Sequence, residues 1–231
     1  MAVTVASVID RVEKVLQDTT NIRWPEAELV LWVNDAQREI ALLKPDASAV
    51  NATITLATGT KQGIPSAGNR LLRVTRNMSA ASGGTGKRAV RLVDREILDA
   101  QTPDWHDPSV GGDAAHTSTV KHYIYDEQNP RNFYVYPGVS GNAYLEIVYS
   151  TNPTTVTASD NLGIPDIYAN AVMNYVLYMA YMKDTEYAGN AQRAASHYQL
   201  FTTSVTGKGQ LDAITNPNTD RMPNSQLLAS V

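Results

Sequence analysis

Between Asp166 and Lys183 the chain reads DIYANAVMNYVLYMAYMK, a helical stretch with almost no face for water. From Ile167 to Met182 only Asn170 and Asn174 are polar. They sit four apart, so both fall on one narrow stripe of a helix. A surface helix carries a wide polar face. This one must be covered nearly all round, by its own chain, by neighbouring copies or by lipid. Lipid is a poor fit: the run falls short of a bilayer span, the asparagines interrupt it, and Asp166, Lys183 and Asp184 close its ends. The stretch is therefore a core helix and a candidate for a subunit contact. Tyr175, Tyr178, Tyr181 and Met182 are the interface candidates, because aromatic residues and Met are enriched at interfaces.

The rest of the chain is compatible with that demand. At 231 residues it fits one large domain or two small ones. Its 43% hydrophobic and 18% charged content suits a folded protein rather than a disordered one. Cys is absent, which excludes disulfides and thiolate metal sites. The net charge of −4 predicts no general attraction to nucleic acid or membrane. The opening MAVTVASVIDRVEK lacks a basic stretch before an apolar run and is not expected to be a secretory signal. No internal repeat is visible.

Two helices open the chain. Val5, Val8, Ile9, Val12, Val15 and Leu16 follow helical spacing over 3–17. Trp24-Pro25-Glu26-Ala27-Glu28 is a helix start, with Pro in the first turn and acids that complement the dipole. Leu29, Trp32, Val33, Ala36, Ile40 and Leu43 form the apolar face of that second helix, and Pro45 ends it. The short connection makes the pair an antiparallel hairpin. Beyond Pro45 the period drops to two, at Ala52, Ile54 and Leu56. A loop with Gly59, Gly63, Pro65 and Gly68 follows, then a strand near 70–78 in which Arg73, Thr75 and Asn77 point one way and Leu72, Val74 and Met78 the other, a strand near 89–92 and a short helix over 93–101. Strands near 120–126, 132–136 and 143–149 read as an antiparallel meander. After a linker to Gly163 come the apolar helix and a fourth helix over about 185–204. Tyr187, Ala191, Ala194, Tyr198 and Phe201 share one face of that fourth helix, whose small residues permit close approach to the third.

The predicted fold class is α+β: terminal helical hairpins at 1–47 and 161–206 form one bundle around an inserted antiparallel β-domain at 48–160. Residues 207–231 have no usable periodicity and cannot fold by burying their own surface. They are expected to form an extended C-terminal arm, with Leu211, Ile214, Met222, Leu227 and Leu228 as separate anchors for a partner.

Catalytic chemistry is missing from the sequence. Gly83-Gly84-Thr85-Gly86-Lys87-Arg88 has Ala81 where a phosphate loop needs Gly and Arg88 where it needs Ser or Thr, so it reads as a hairpin turn. Asp104-Trp105-His106-Asp107, with His116 and His122 nearby, lacks the spacing that puts two metal ligands on one helix face. There Trp105 is the hydrophobic anchor of a polar loop. No G-x-S-x-G is present. Glu26, Glu28, Asp35 and Glu39 belong to a solvated or salt-bridged helix face, and His197 to a packed one. No catalytic residue, metal or cofactor is expected. The segment 70–95 is the exception in charge, with seven basic residues and one acidic. Arg73, Lys87, Arg88 and Arg91 are the candidates there for contact with DNA phosphates. The competing reading is a solvated strand face paired with acids of a neighbouring copy.

Three blocks carry a family likeness. RWPEAELVLWVNDAQREIALLKPDA at 23–47, NPRNFYVYPG at 129–138 and AVMNYVLYMAYMKDTEYAGNAQRAASHYQLF at 171–201 resemble the adaptor, or head–tail connector, proteins of short-tailed bacteriophages. The resemblance implies a structural virion protein at the portal vertex, assembled in the host cytoplasm as a homo-oligomeric ring of roughly twelve copies, a dodecamer. Such a ring binds the portal protein, docks the tail nozzle protein and extends the channel through which DNA passes without sequence specificity. Its C-terminal segments reach toward the portal, and it is neither an enzyme nor a membrane protein. Two other classes fit the residues: a tail-tube or nozzle ring component, and a carbohydrate-binding or enzymatic module built on the Tyr-rich meander.

Overall fold

The computed structural model describes residues 2–214. Among them are five α-helices: α1 (Val5–Leu16), α2 (Glu26–Leu43), α3 (Arg95–Gln101), α4 (Ala169–Lys183) and α5 (Asn190–Ile214). Eight strands lie between α2 and α4: β1 (Ala49–Thr55), β2 (Gly59–Gly63), β3 (Gly68–Met78), β4 (Gly86–Ala89), β5 (Arg91–Leu92), β6 (His122–Tyr125), β7 (Asn132–Val139) and β8 (Tyr144–Thr151). The fold is α+β, with helices at both ends of the chain. Residues up to Lys44 and from Pro153 onward form one compact unit, and Pro45–Asn152 form another.

In the helical unit, local chemistry sets the boundaries. Thr4 caps α1, its hydroxyl accepting from the Ser7 N–H. Pro25 precedes α2, with Glu26 and Glu28 in the first turn. Asp18 builds the turn between them: its carboxylate accepts the backbone N–H groups of Ile22, Arg23 and Trp24 at 2.9–3.1 Å. These bonds, led by that from Trp24, hold its carboxyl below the usual range. A carboxyl depressed by folding stabilises the native state above its unfolded pKa, and that contribution is lost as pH falls through the folded value. Asp18→Asn is therefore expected to flatten the acid limb of a pH–stability curve, measured by urea unfolding below about pH 5.

Helix α4 is the centre of this unit. It packs against α1, α2 and α5. Val172, Val176, Leu177 and Ala180 are at most 1% exposed. The chain's own helices thus cover one side of α4, while Met173, Tyr175, Tyr178 and Met179 are half-buried and Met182 is exposed. Even Asn174 turns inward, its Oδ1 lying 3.0 Å from His197 Nδ1 on α5. The segment 153–164 returns along the same unit. Buried Asn34 of α2 holds it, accepting from the Val156 N–H (2.9 Å) and donating to the Val156 carbonyl (3.0 Å).

Helix α5 runs ten residues past its expected end at 204. Gly207 and Gly209 suggest a break, because Gly costs about 1 kcal/mol relative to Ala inside a helix. Tertiary contacts override that cost. Val205 is 1% exposed, the Lys208 ammonium lies 2.7 Å from Asp212 and over the Tyr168 ring, and Lys44 at the end of α2 also pairs with Asp212. The expected shared face of α5 is only partly right. Ala194 and Phe201 are buried, whereas Tyr187 and Ala191 are exposed.

The β unit consists of two four-stranded sheets, ordered β1-β8-β3-β4 and β2-β7-β6-β5. Both contribute to one core that includes Leu71, Val74, Phe133, Val135, Leu145 and Ile147. The outer face of the second sheet is covered by α3 and the loop after it. There Trp105, 1% exposed, joins Leu98, Ile124 and Tyr136 and donates to Asp99 Oδ1 at 2.8 Å.

Four sequence expectations change in this unit. Gly59–Gly63 is a strand, not a loop. The expected meander is interrupted: β6 pairs with β7, but β8 joins the other sheet between β1 and β3. The pairing is not wholly antiparallel, because β5 and β6 run parallel. Finally, β3 does not alternate. Its register against β8 shifts three times, between Gly68 and Arg70, Leu71 and Arg73, and Val74 and Arg76. Each shift adds a residue, so the inward positions recur every three: Leu71, Val74, Asn77. Asn77, expected on the face of Arg73, is in fact buried.

Candidate functional site

The bulges on β3 gather cations. Arg70, Arg73 and Arg76 stand opposite Ser150, Val148 and Glu146 of β8, alternate residues that share one face of that strand. This face is turned away from Leu145, Ile147 and Tyr149 of the core. Arg70 Nε donates to the Tyr125 hydroxyl (3.0 Å), and Arg76 pairs with Glu146 (2.6 Å) across Gly86. A Cβ on Gly86 would lie 2.8 Å from the Arg76 guanidinium, so only glycine leaves that side chain its place. Arg73, between them, is exposed.

A second basic group forms where edge strands of the two sheets meet. Arg88, Ala89, Arg91, Lys121 and His122 line a cleft of about 240 Å³. The buried Asn77 amide builds it. Asn77 Nδ2 donates to the carbonyls of Arg88 (2.9 Å) and Val120 (2.8 Å), while Oδ1 accepts the Val120 N–H (2.8 Å). The Arg91 N–H donates to the Lys121 carbonyl (3.3 Å), and Arg91 is in register with His122. One amide thus fastens β4 of one sheet to the start of β6 in the other. Asn77→Leu, close in volume, is expected to cost about 1–3 kcal/mol, because it strands buried backbone groups. Thermal unfolding of the β unit checks it.

Of the four sequence-predicted cations, the structure places Arg88 and Arg91 at this cleft and Arg73 on the sheet face. Lys87 is exposed on β4. The residues Gly83–Gly86 form the turn of the β3–β4 hairpin, closed by the Ser79 N–H donating to the Thr85 carbonyl at 3.0 Å. Lys121, Arg70 and Arg76 were not singled out by sequence as contact candidates, and His122 was noted only beside the metal fragment at Asp104–Asp107 that the spacing argued against. Their only local signal was charge, since register and bulges bring them together. Burial, and secondarily the field of Arg88, Arg91 and Lys121, lowers the His122 pKa. Among the described residues no group of three or more His, Asp or Glu side chains could hold a metal ion.

Three of the four predicted interface residues, Tyr175, Tyr178 and Tyr181, occupy the seam of the α4–α5 hairpin. Tyr175 packs edge-on against Tyr178 and Phe201, with ring centroids 5.7 and 5.1 Å apart. Tyr178 meets Tyr198 at 5.0 Å, and Tyr181 stacks on His197 at 5.6 Å. Tyr181 is 9% exposed, and Met182 is 45% exposed. Leu211 and Ile214, expected in an extended arm, sit on the last turns of α5. Met222, Leu227 and Leu228 lie outside the described residues.

Two apolar surfaces were not anticipated. On α2, Leu31 and Leu42 are exposed on the side opposite Leu29, Val33, Ala36 and Ile40. On α5, Leu200, Ser204, Gly207, Leu211 and Ile214 recur at alternating spacings of four and three, the period of a coiled-coil seam. Leu200, Leu211 and Ile214 are all more than half exposed. No helix among the described residues is long and apolar enough to cross a membrane.

The whole-chain comparison agrees with this architecture. A family model described as SU10 adaptor protein matches residues 3–223. No curated protein matches the chain. With that match spanning nearly the whole sequence, across both the helical and the β unit, the chain belongs to the SU10 adaptor protein family, a family of phage adaptors.

Proposed function

We propose that the chain assembles into a closed ring of roughly twelve copies that joins the portal protein to the tail nozzle and extends the DNA channel. As a member of a phage adaptor family it is a structural component of the virion. The observation that carries the ring reading is the pair of unlike apolar faces on the helical unit, Leu31 and Leu42 on α2 and the Leu200–Ile214 seam on α5. A ring is built from head-to-tail contacts, in which two different patches of one molecule meet on its neighbours. Scattered exposed leucines are ordinary, but two aligned sets on separate helices fit such a contact. Met182, exposed on α4, adds a further contact residue, while Tyr175, Tyr178 and Tyr181 support it from within the hairpin.

The C-terminal residues act as the arm that engages the portal. The basic side chains of the β unit meet DNA phosphates without reading sequence. No nucleotide turnover is expected, since Gly83–Arg88 is a hairpin turn. Native mass spectrometry and electron microscopy of the pure protein, alone and with purified portal rings, test the reading. Closed rings that cap the portal are expected, and deletion of 215–231 should weaken capping. A chain that stays monomeric with portal present, or that binds portal equally without 215–231, would overturn the ring or the arm respectively.

A further inference from the structure

The cleft at the Asn77 staple has a ligand chemistry of its own. Four properties define it. First, its cations are uncompensated: among the described residues neither Arg88 nor Arg91 has an acidic or hydrogen-bonding side-chain partner. Only Lys121 is paired, with Asp113 at 3.6 Å, and that carboxylate is 96% exposed. Second, the backbone beneath them is fixed, because Arg88, Val120, Lys121 and Arg91 are linked through Asn77 and through one strand-to-strand bond. Such fixed bonds hold the origins of the charged side chains together, so less ordering is left for a ligand to impose. Third, His122 stands among them with its ring stacked on Tyr136, and its buried Nδ1 has no hydrogen-bond partner. Fourth, the cleft, at about 240 Å³, has room for several waters or one small anion, given roughly 30 Å³ per water.

We propose that Arg88, Arg91, Lys121 and His122 form a binding site for a single phosphate group. Two guanidinium forks and an ammonium exceed what one carboxylate can satisfy, since its two oxygens are filled by one bidentate arginine. A phosphate offers more acceptor oxygens and more charge. The group could belong to a free phosphate or to a nucleic-acid backbone. Only the second source rests on the channel reading above. The site takes no part in base recognition, because it engages nothing but the phosphate. On this assignment Arg73 and the rest of the β3 face are a separate, more open surface.

The imidazole reports occupancy. Burial first, and then Arg88 and Arg91 from the β4 and β5 edges and Lys121 beside it, disfavour its protonated form. A bound phosphate cancels the cationic part, so the His122 pKa rises on binding. By linkage, a phosphate of fixed charge, such as a backbone diester, then binds more tightly as pH falls through the imidazole range.

The test uses the full chain. Inorganic phosphate is titrated while the His122 ring signals are followed by NMR across pH, in wild type, in Arg88→Gln/Arg91→Gln and in Arg73→Gln. The expected result is a rise in the His122 pKa with phosphate in wild type and Arg73→Gln, and at least tenfold weaker binding in the double variant. All the replaced side chains are exposed, so the folds should match by circular dichroism. Lys121→Gln serves if the double variant does not fold. A second arm measures duplex DNA binding against salt: a backbone source predicts that the double variant lowers the slope of log K against log salt by about 1.8. An unchanged slope with phosphate binding intact leaves free phosphate as the ligand. The proposal is overturned if phosphate leaves the His122 pKa where it was. It is also overturned if Arg73→Gln weakens binding as much as the double variant, or if a short polyglutamate peptide binds as tightly as phosphate.

Discussion

Replacing Phe201 with Ala should destabilise the helical unit by about 3–5 kcal/mol, the usual range for truncating a buried aromatic side chain. Phe201 is fully buried on α5, and its ring contacts Tyr175 of α4 and Tyr198 of its own helix. Its loss opens a cavity between the two helices that pack most extensively in this unit. The neighbouring rings cannot simply collapse into it. Tyr178 is held against Tyr198, and Tyr181 is held against His197. A loss of this size would be a large part of the stability of most domains. Urea unfolding followed by far-ultraviolet circular dichroism measures it, with Leu200→Ala as a control. Leu200 lies one residue away but is 52% exposed, so its truncation should cost little. Equal destabilisation by the two substitutions would show that α5 does not dock on α4 through Phe201.

The pair Leu31→Glu and Leu42→Glu should leave the folded chain intact and abolish ring assembly. Both side chains point away from the core of α2, at 62% and 73% exposed, so the monomer has no packing to lose. Glu is a good helix former, so intrinsic helix propensity should be retained. In a closed ring the same positions would place two carboxylates in every contact, opposite the apolar seam of a neighbour's α5. A buried, unpaired charge costs several kcal/mol, and a cyclic assembly meets that cost at each interface. Sedimentation velocity should therefore show a shift from ring to monomer with unchanged circular dichroism. The reciprocal variant, Leu200→Glu with Ile214→Glu, should give the same result. Mixing the two variants should not restore closed rings, because each copy retains one damaged face. Rings that persist in both would remove α2 and α5 from the subunit contact.

How much of this could be read without a structure varies by element. The two opening helices were legible because helical spacing and the Trp24-Pro25-Glu26 start are local. The apolar run at 167–182 was legible as a core helix, yet not its covering. Three helices of the same chain pack against α4, and which partner buries a surface is a tertiary fact. In the β unit, alternation located β1 but failed on β3, where three register shifts turn a period of two into a period of three. The extension of α5 was hidden by Gly207 and Gly209, whose local preference is outweighed by Val205, Lys208 and Asp212.

The sequence by itself determined the composition of the fold: helices at both ends, strands between them, and a basic segment at 70–95. It did so because side-chain periodicity and helix punctuation act over a few residues. Only the tertiary structure decided that Arg88 and Arg91 stand with Lys121 and His122, some thirty residues along the chain, around a shared cleft. That grouping depends on Asn77, whose single amide bonds to β4 of one sheet and to Val120, just before β6 of the other. Its side chain is buried because the register shifts of β3 turn it inward, and such shifts are set by long-range strand pairing that no local window contains.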